Sequence, residues 1–325
     1  MIYKTIECIS LYLCKSCNLE CQWCYDQANS FVSIDFELFE EFYNTVIKDN
    51  IRNIVLIGGE PFVHPQIQDI IGALGDEYLY IASNGLPLMD DRKLSIIKKR
   101  KNISLSIAIK GFDADTFLNT TRRNAFDEFE QVLDELNSLN AHTNFSYIYT
   151  GKTSKEDSAT FLAFCERHHI NAITISEPRP FLDDKGKVVS TLGNHDSFQD
   201  FILCLMDCGI NVCAKIQSPF CEYSTDFIDY LLEKNAIVSS CSVKTGGALF
   251  FNSKLELVLC HSNYDIKLGR YGEDFENYDE LKDFFYSKEI CKVYNRFRGC
   301  PQKQCLDCKY WKVCGGGCIM NWRMP

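Results

Sequence analysis

Short apolar runs alternate with helical patterns along the first two thirds of the chain, and this alternation restricts the fold more than any other feature. Asp35 is a predicted N-cap for the first helix, because the large apolar residues after it share one face. The predicted strands lie at residues 6–13, 53–57, 78–82, 103–109, 144–149 and 172–176, and the further helices at 66–74, 92–99, 124–139 and 155–168. Six strand–helix units indicate an α/β fold with parallel strands and right-handed crossovers. They are too few for a closed eight-fold barrel, although sites should still lie after the carboxyl ends of the strands.

Three cysteines lie close behind the first predicted strand, at Cys17, Cys21 and Cys24. Each iron of a cubane iron–sulfur cluster needs its own soft ligand, usually a cysteine thiolate. Three thiols on one short loop can reach three corners of such a cluster, so the fourth iron must take another ligand. Structural zinc differs, because it normally has four protein ligands, most commonly from two separated pairs. The spacing therefore predicts a [4Fe–4S] cluster with one open iron.

Two further loops follow the second and third predicted strands. Their candidate site residues are Gly58, Gly59, Glu60 and Pro61 in the first loop, and Ser83 and Asn84 in the second. Glycines let a backbone approach a ligand closely, since no Cβ intervenes. The carboxyl ends of parallel strands meet at one edge of a sheet, so we expect both loops to lie beside the three cysteines.

The run from Cys17 to Cys24, with Trp23 before the last cysteine, resembles the motif of the radical S-adenosylmethionine (SAM) enzymes, Cys-x3-Cys-x-aromatic-Cys. This resemblance implies a partial (β/α)6 TIM-like barrel. It also implies that SAM binds the open iron and is reductively cleaved to a 5′-deoxyadenosyl radical. Trp23 is then expected near the adenine, and the loop that begins at Gly58 near the amino group of SAM. Ser83 and Asn84 are candidate contacts to its ribose or carboxylate.

Charged residues after the later strands are further candidates. Lys110 follows the fourth strand and is either a SAM or substrate contact or a solvated loop charge. Arg122 and Arg123 could offer a fork to a carboxylate or form surface salt pairs. Glu177 and Arg179 follow the sixth strand, at the correct end for contact with cofactor or substrate.

A second group of cysteines lies near the C-terminus, where three glycines precede the last of them. Backbone N–H groups beside such glycines can turn toward cluster sulfurs and stabilise an anionic cluster. Upstream, a hairpin predicted at residues 248–251 and 255–259 stands between two more cysteines. The cysteines of this region are Cys241, Cys260, Cys300, Cys305, Cys308, Cys314 and Cys318. We therefore expect a barrel at residues 1–236 and a small cysteine-rich domain at residues 237–325.

This C-terminal layout resembles the SPASM extension of radical SAM enzymes, which usually carries two auxiliary iron–sulfur clusters. The resemblance assigns Cys241, Cys260 and Cys318 to one of them, which then lacks an obvious fourth protein ligand. Leu255 departs from the family pattern, because glycine usually stands five residues before the hairpin cysteine.

The resemblance assigns Cys305, Cys308 and Cys314 to the second auxiliary cluster. The sequence ends before the family's final distal cysteine appears, and Cys300 is the natural substitute for that ligand. A structural zinc held by Cys300, Cys305, Cys308 and Cys314 is the main alternative. One or two auxiliary [4Fe–4S] clusters are thus expected besides the first.

Charge and composition restrict the partners. The chain of 325 residues has 34 basic and 44 acidic residues, a formal net charge of -10. This argues against nucleic acid or an anionic membrane as the main partner, and a basic peptide would suit it better. No stretch approaches the roughly 20 apolar residues of a membrane span, and no signal peptide is visible, so we expect a cytoplasmic protein. In such a protein, 18 cysteines indicate metal or redox chemistry rather than disulfides.

These features lead to one principal hypothesis and two alternatives. The principal one is a radical SAM enzyme that abstracts hydrogen from a peptide or protein substrate. The substrate is typically a ribosomal peptide, which the enzyme cross-links, oxidises or modifies with a thioether. An external protein of the flavodoxin or ferredoxin type would supply the electron. The sequence starts almost directly with the first strand, so we expect no N-terminal leader-binding domain. Lys110, in an Ile-Lys ending that resembles glycyl-radical activating enzymes, favours an activase of a folded partner protein. A zinc-stabilised scaffold without activity is the third hypothesis.

Overall fold

The computed structural model describes residues 6–24, 26, 30–139, 141–151, 155–182, 188–189, 194–238 and 241–322 of the chain. Its centre is one 11-stranded sheet. The first six strands are β1 (Cys8–Tyr12), β2 (Asn53–Ile57), β3 (Tyr78–Ser83), β4 (Ile103–Ile109), β5 (Thr143–Ile148) and β6 (Ala172–Ser176). They lie side by side in chain order and are all parallel.

The strands continue beyond the first six. A separate antiparallel pair, β7 (Phe181–Leu182) and β8 (Val188–Val189), lies between residues 181 and 195, of which residues 183–187 and 190–193 fall outside the described residues. Strands β9 (Asn211–Lys215) and β10 (Ile237–Val238) then extend the parallel sheet beyond β6. Because β10 forms an edge of the sheet, the barrel is open, as predicted.

Helices follow the strands in the order that the sequence predicts. They are α1 (Phe36–Phe42), α2 (Ile67–Ala73), α3 (Asp91–Lys99), α4 (Ala114–Thr121), α5 (Phe126–Ser138), α6 (Lys155–Arg167), α7 (His195–Asp207) and α8 (Thr225–Glu233). Asp35 caps α1 as predicted, because its carboxylate accepts hydrogen bonds from two backbone N–H groups of the first turn. Helix α4 is not among the predicted helices, although Asp113 and Thr116 form a capping box at its start.

The two faces of the parallel sheet differ in burial and composition. In β2, Ile54 and Leu56 are completely buried under the helices, whereas Val55 is half-buried on the opposite face. The register continues that opposite face from Val55 to Tyr80 and then to Ser104. Small and polar residues therefore line much of the inside of the open barrel, which leaves room for ligands there.

The C-terminal region continues the same sheet on its other side. Strand β11 (Leu249–Phe251) runs parallel to β1, and β12 (Glu256–Val258) and β13 (Lys267–Arg270) follow in antiparallel order. The helices α9 (Ser242–Thr245), α10 (Tyr278–Phe285), α11 (Lys288–Arg298) and α12 (Trp311–Cys314) complete the region. The ring of Phe42 in α1 lies 5.0 Å from that of Phe251, so the barrel core continues into this region.

Leu255, between β11 and β12, has a left-handed backbone with a φ of 52°. This conformation favours glycine, and Leu255 adopts it while its side chain is buried. Among the described residues, no helix has the length and apolar character needed to cross a membrane.

Candidate active site

The loop that carries the three N-terminal cysteines is held against the end of α4. Backbone N–H groups of Glu20 and Gln22 donate to carbonyl groups in the last turn of that helix over 3.1 and 3.2 Å. The guanidinium of Arg123 donates to the carbonyl of Asn18 over 3.2 Å. Arg123 therefore braces the cysteine loop, a role that neither interpretation from the sequence included.

The thiols of Cys17, Cys21 and Cys24 lie within electrostatic range of one another. Burial raises the pKa of Cys17 to about 12, and negative charge on Cys21 adds to this effect. The N–H of Leu19 donates to the Cys17 Sγ over 3.4 Å, and the side-chain amide of Asn84 lies 3.9 Å from the same sulfur. A free thiol here stays protonated at neutral pH, so a soft cation is needed to stabilise the thiolate.

The glycine pair after β2 packs on the backbone of the cysteine loop. A Cβ at Gly58 would lie 2.7 Å from the carbonyl oxygen of Cys14, and one at Gly59 would lie 2.4 Å from that of Ser16. The N–H of Gly59 donates to the Cys14 carbonyl over 2.7 Å. The close approach that these glycines allow is therefore between two chain segments, and the contact of this loop with SAM stays a prediction.

Glu60 joins three loops at the active edge of the sheet. Its side chain is 1% exposed, and Oε1 accepts hydrogen bonds from the Phe62 N–H over 3.1 Å and the Ser83 hydroxyl over 2.8 Å. Oε2 accepts from the Asn84 N–H over 2.6 Å. The Asn84 side chain in turn donates to the Asn18 Oδ1 over 2.8 Å. We call Glu60, Ser83, Asn84 and Asn18 the Glu60 junction, because together they tie β2 and β3 to the cysteine loop.

Two polar side chains face this region with capacity left for a ligand. The Nε1 of Trp23 is buried and has no hydrogen-bond partner among the described residues. Lys110 follows β4, and its positive charge acts on Cys17, Cys24 and Glu60, lowering the pKa of each group against the larger effect of burial. The ammonium of Lys110 is thus within electrostatic range of the cysteine loop and of Glu60, and its two predicted roles stay predictions.

These residues fit the cluster that the sequence predicts. Three soft thiols, an N–H donor to one sulfur and a nearby cation suit an anionic iron–sulfur cluster. Within the described part of the chain, no three His, Cys, Asp or Glu side chains converge on a point suited to one metal ion. A cubane does not require such convergence, because each thiolate binds a different iron. The indole N–H of Trp23 has no partner among the described residues, and its contact with SAM stays a prediction.

Glu177 forms a second junction, at the far side of the parallel sheet. Its side chain is also 1% exposed, and Oε2 accepts from the N–H groups of Gln217 and Ser218 over 2.7 and 2.6 Å. Oε1 accepts from the Tyr223 hydroxyl. Burial raises the pKa of Glu177 to about 7, although the hydrogen bonds from Ser218 and Gln217 oppose it. We call Glu177, Gln217, Ser218 and Tyr223 the Glu177 junction. The recorded hydrogen bonds of Glu177 are all to residues of the chain, and its contact with cofactor or substrate stays a prediction.

The segment that Glu177 holds, residues 217–223, receives the C-terminal cysteine run, and we call it the docking segment. The Cys318 N–H donates to the Gln217 carbonyl over 2.6 Å. A Cβ at Gly317 would lie 2.5 Å from the same oxygen, so a glycine is needed at this approach. The Phe220 N–H donates to the Cys314 Sγ over 3.3 Å.

Three of the predicted C-terminal ligands meet in one cavity. Cys241, Cys260 and Cys318 line a volume of about 170 Å³ together with Arg179 and Lys215. The charge of Arg179, together with burial, lowers the pKa of Lys215 to about 8. Two basic side chains thus face three thiols, an arrangement that suits a negatively charged cluster.

The remaining predicted ligands are divided between two places. The ring of Tyr310 lies 6.1 Å from that of Phe220, which holds the run from Cys305 to Cys314 against the docking segment. Cys300 lines a different cavity, of about 540 Å³, with Lys244 and Trp322 among its neighbours.

A further cavity, of about 360 Å³, lies between the cysteine loop and the turn from β11 to β12. On its cysteine-loop side, the Tyr12 hydroxyl donates to Asp26 over 2.7 Å. His261 lines both this cavity and the one shared by the three thiols, and its Nε2 is 2.9 Å from the Ser10 hydroxyl. Burial lowers the pKa of His261 to about 3, so a neutral imidazole separates the two cavities.

Sequence comparison identifies the N-terminal part of the chain. A profile of the Radical SAM superfamily matches residues 11–163. GTP 3',8-cyclase of Chlorobaculum tepidum is 22% identical over 187 residues, which cover 55% of this chain and 56% of that protein. The enzyme of the same name from Synechocystis is 24% identical over 138 residues, which cover 40% and 42%. The chain therefore spans about half the length of these curated relatives.

Comparison with solved structures extends the similarity of fold to nearly the whole chain. SuiB of Streptococcus suis bound to SAM superposes with a TM-score of 0.74 at 17% identity, over 98% of this chain and 74% of SuiB. The enzyme anSMEcpe with bound SAM and Kp18Cys peptide superposes with a TM-score of 0.70 at 15% identity, over 96% of this chain and 88% of the other. The match at residues 11–163 includes the cysteine loop, and this part of the chain is therefore a radical SAM domain.

Proposed function

We propose that this chain abstracts hydrogen from a peptide or protein substrate and matures a ribosomally made peptide by oxidation, cross-linking or thioether formation. The observation that carries the proposal is the extent of the similarity of fold, which covers 98% of the chain with SuiB and 96% with anSMEcpe. It includes both cysteine groups. SuiB is also known bound to its precursor peptide SuiA, and that structure covers 98% of this chain at 16% identity.

In this proposal Cys17, Cys21 and Cys24 hold the cluster that the superfamily implies. When bound, that cluster supplies the electron that cleaves SAM and so starts hydrogen abstraction. Lys110 offers its ammonium to the carboxylate of SAM, and Trp23 lies against the adenine. The contribution of the chain is to orient SAM and to exclude water from the site.

The Glu60 junction keeps this arrangement rigid. Its buried carboxylate holds Ser83 and Asn84 in place through hydrogen bonds of 2.8 and 2.6 Å, and Asn84 reaches the cysteine loop. Ligand contacts from Ser83 and Asn84 would then come from groups whose positions are already set. Such preorganisation is what a reaction through a short-lived radical requires.

The cavity shared by Cys241, Cys260 and Cys318 supports an auxiliary cluster beside the barrel interior. When bound, an auxiliary cluster supplies a path for the electron that remains after a substrate radical forms a new bond. Arg179 and Lys215 compensate its negative charge. We place a second auxiliary cluster at Cys305, Cys308 and Cys314.

The substrate class is tested with protein reconstituted and assayed without oxygen. The candidate substrate is the product of a short open reading frame next to the gene, and a strong reductant replaces the natural donor. We expect the peptide to lose two hydrogens or gain a cross-link by mass spectrometry, with one 5′-deoxyadenosine formed per event. A stable glycyl radical on a folded partner protein would support the activase alternative instead.

GTP is the second substrate to test, because the relatives matched by sequence are GTP 3',8-cyclases. We expect GTP neither to stimulate SAM cleavage nor to be converted. A cyclised nucleotide product would contradict the peptide proposal and leave the radical SAM assignment intact.

A further inference from the structure

We propose that Cys221 is the fourth thiolate of the second auxiliary cluster, together with Cys305, Cys308 and Cys314. The inference rests on the proposed function, which assigns an iron–sulfur cluster to the last three residues. Cys221 lies in the docking segment of the barrel, far from the others in sequence, so no spacing motif includes it.

The contacts of the docking segment bring Cys221 beside this group. The Phe220 N–H donates to the Cys314 Sγ over 3.3 Å, and Cys221 is the next residue in the same 3-10 turn. Adjacent Cα atoms are about 3.8 Å apart, so Cys221 starts within reach of any cluster that Cys314 holds. Burial and Glu222 raise the pKa of Cys221, and the charges of Cys314 and Cys305 add to the shift, which agrees with this proximity.

The cysteine run is fixed to the same part of the barrel from its other end. The Tyr310 hydroxyl donates to Asp229 in α8 over 2.8 Å, and Lys309 forms an ion pair with the same carboxylate over 2.8 Å. Cys221 and Cys308 are both exposed, so their side chains can turn toward a cluster without disturbing the core. The docking of the cysteine run on residues 217–223 therefore places Cys221 at the seam between the barrel and the C-terminal region, beside Cys314.

Cys300, the substitute that the sequence suggests, lies on the other side of the glycine turn. A Cβ at Gly316 would lie 2.8 Å from Pro301, the neighbour of Cys300. A Cβ at Gly317 would instead meet the docking segment. The turn thus separates Cys300 from the segment that carries Cys221.

This fourth ligand has a consequence for the role of each cluster. A cubane with four thiolates has no open iron and can carry electrons without binding substrate. The group of Cys241, Cys260 and Cys318 keeps an open corner in the cavity that Lys215 and Arg179 line. We therefore assign electron relay to the cluster at the seam and leave ligand binding to the cluster in the cavity.

The direct test is thiol footprinting of the unaltered protein. The metal-free chain and the chain reconstituted with iron and sulfide are treated with iodoacetamide without oxygen, and labelling of each cysteine is measured by mass spectrometry. We expect at least about tenfold less labelling of Cys221, Cys305, Cys308 and Cys314 after reconstitution. Cys208, which is exposed at the end of α7, is the matched control and should be labelled equally in both forms, as should Cys300.

The outcomes separate this inference from the proposed function. Protection of Cys305, Cys308 and Cys314 with Cys221 still labelled would overturn the inference and keep the cluster. Labelling of all four in protein that keeps iron at the N-terminal cysteines would overturn the second auxiliary cluster and the inference with it.

Variants provide the second measurement. We expect Cys221→Ala to lose between one and four iron atoms per chain, whereas Cys300→Ala and Cys208→Ala keep the content of the unaltered protein. Circular dichroism checks that each variant is folded. Loss of iron from folded Cys300→Ala, or full content in Cys221→Ala, would contradict the inference.

Discussion

The Glu60 and Glu177 junctions have the same structural role at opposite sides of one sheet. Each junction has a glutamate with 1% exposure directly after a parallel strand. Its carboxylate accepts hydrogen bonds from backbone N–H groups of the loop that follows the neighbouring strand of the sheet. The Glu60 junction holds the loop of Cys17, whereas the Glu177 junction holds the segment on which Cys314 and Cys318 dock. A buried glutamate thus positions a cysteine loop in both regions.

The two junctions differ in the groups that face each carboxylate oxygen, because a backbone N–H can only donate a hydrogen bond. Both oxygens of Glu60 accept from fixed N–H groups, at Phe62 and Asn84. In Glu177, Oε2 accepts from two N–H groups, but Oε1 accepts from the Tyr223 hydroxyl, and a hydroxyl can either donate or accept. The Glu60 junction therefore requires a carboxylate, whereas the Glu177 junction should accept an amide.

The substitution with the largest expected effect, Cys21→Ala, distinguishes the N-terminal cysteine loop from the C-terminal cysteines. Cys21→Ala removes one of three thiols from the N-terminal loop and should abolish SAM cleavage. The C-terminal iron should remain, because the docking segment makes its contacts independently of that loop. Iron analysis and the yield of 5′-deoxyadenosine check this. Retained cleavage would refute the assignment of Cys21, and loss of all iron would show that the two regions are not independent.

Lys110→Met tests whether the cation at the N-terminal site binds SAM. A charge-assisted hydrogen bond to a carboxylate contributes about 1.5–3 kcal/mol, so the KM for SAM should rise about 10- to 100-fold. Lys99→Met, at the end of α3, is a matched control with no expected effect. An unchanged KM would assign Lys110 to the solvated loop.

Glu60→Gln tests the requirement for a carboxylate. Either orientation of the amide opposes its NH2 group to a backbone N–H, and an unsatisfied buried donor costs about 1–3 kcal/mol. We expect this loss in the free energy of unfolding, measured with urea, together with weaker SAM cleavage. A variant as stable and as active as the unaltered protein would remove the distinction between the junctions.

Glu177→Gln should have the smallest effect on SAM cleavage, and its effect on stability should depend on pH. The pKa of Glu177 is raised to about 7, above the value of about 4.3 expected in the unfolded chain. The folded state therefore binds the proton more tightly, and this group makes the protein less stable as pH rises from about 4.3 to 7.

The matched measurement is urea unfolding of the variant and the unaltered protein at pH 5.5 and pH 8. The difference in unfolding free energy should shift by about 2 kcal/mol in favour of the variant at the higher pH. A difference that does not change with pH would contradict the raised pKa.

Sequence patterns predict the strands of this fold better than its junctions. The strands at Asn53–Ile57 and Ile103–Ile109 have the predicted bounds. In the first of them, the continuous apolar run from Ile54 to Ile57 marks a buried parallel strand directly. Glu60 and Glu177 are both predicted from the sequence as candidate site residues, because each follows a strand. Their hydrogen-bond partners are not, since these come from loops 24 and 40 residues away.

Contacts across long sequence separations explain what the sequence analysis missed. Arg123 braces a loop 105 residues before it, and nothing in its local sequence indicates this. Cys221 has no ligand spacing to any other cysteine, so only the docking of residues 217–223 on the C-terminal run makes it a candidate. Cys14 is adjacent to the motif, but its thiol donates to the Glu60 carbonyl over 3.4 Å.

The most direct test of the account is SAM cleavage by anaerobically reconstituted protein under a strong reductant. We predict brown protein that converts SAM to methionine and 5′-deoxyadenosine, and a loss of this activity in Cys21→Ala. Colourless protein that leaves SAM intact after full reconstitution would contradict the central claim.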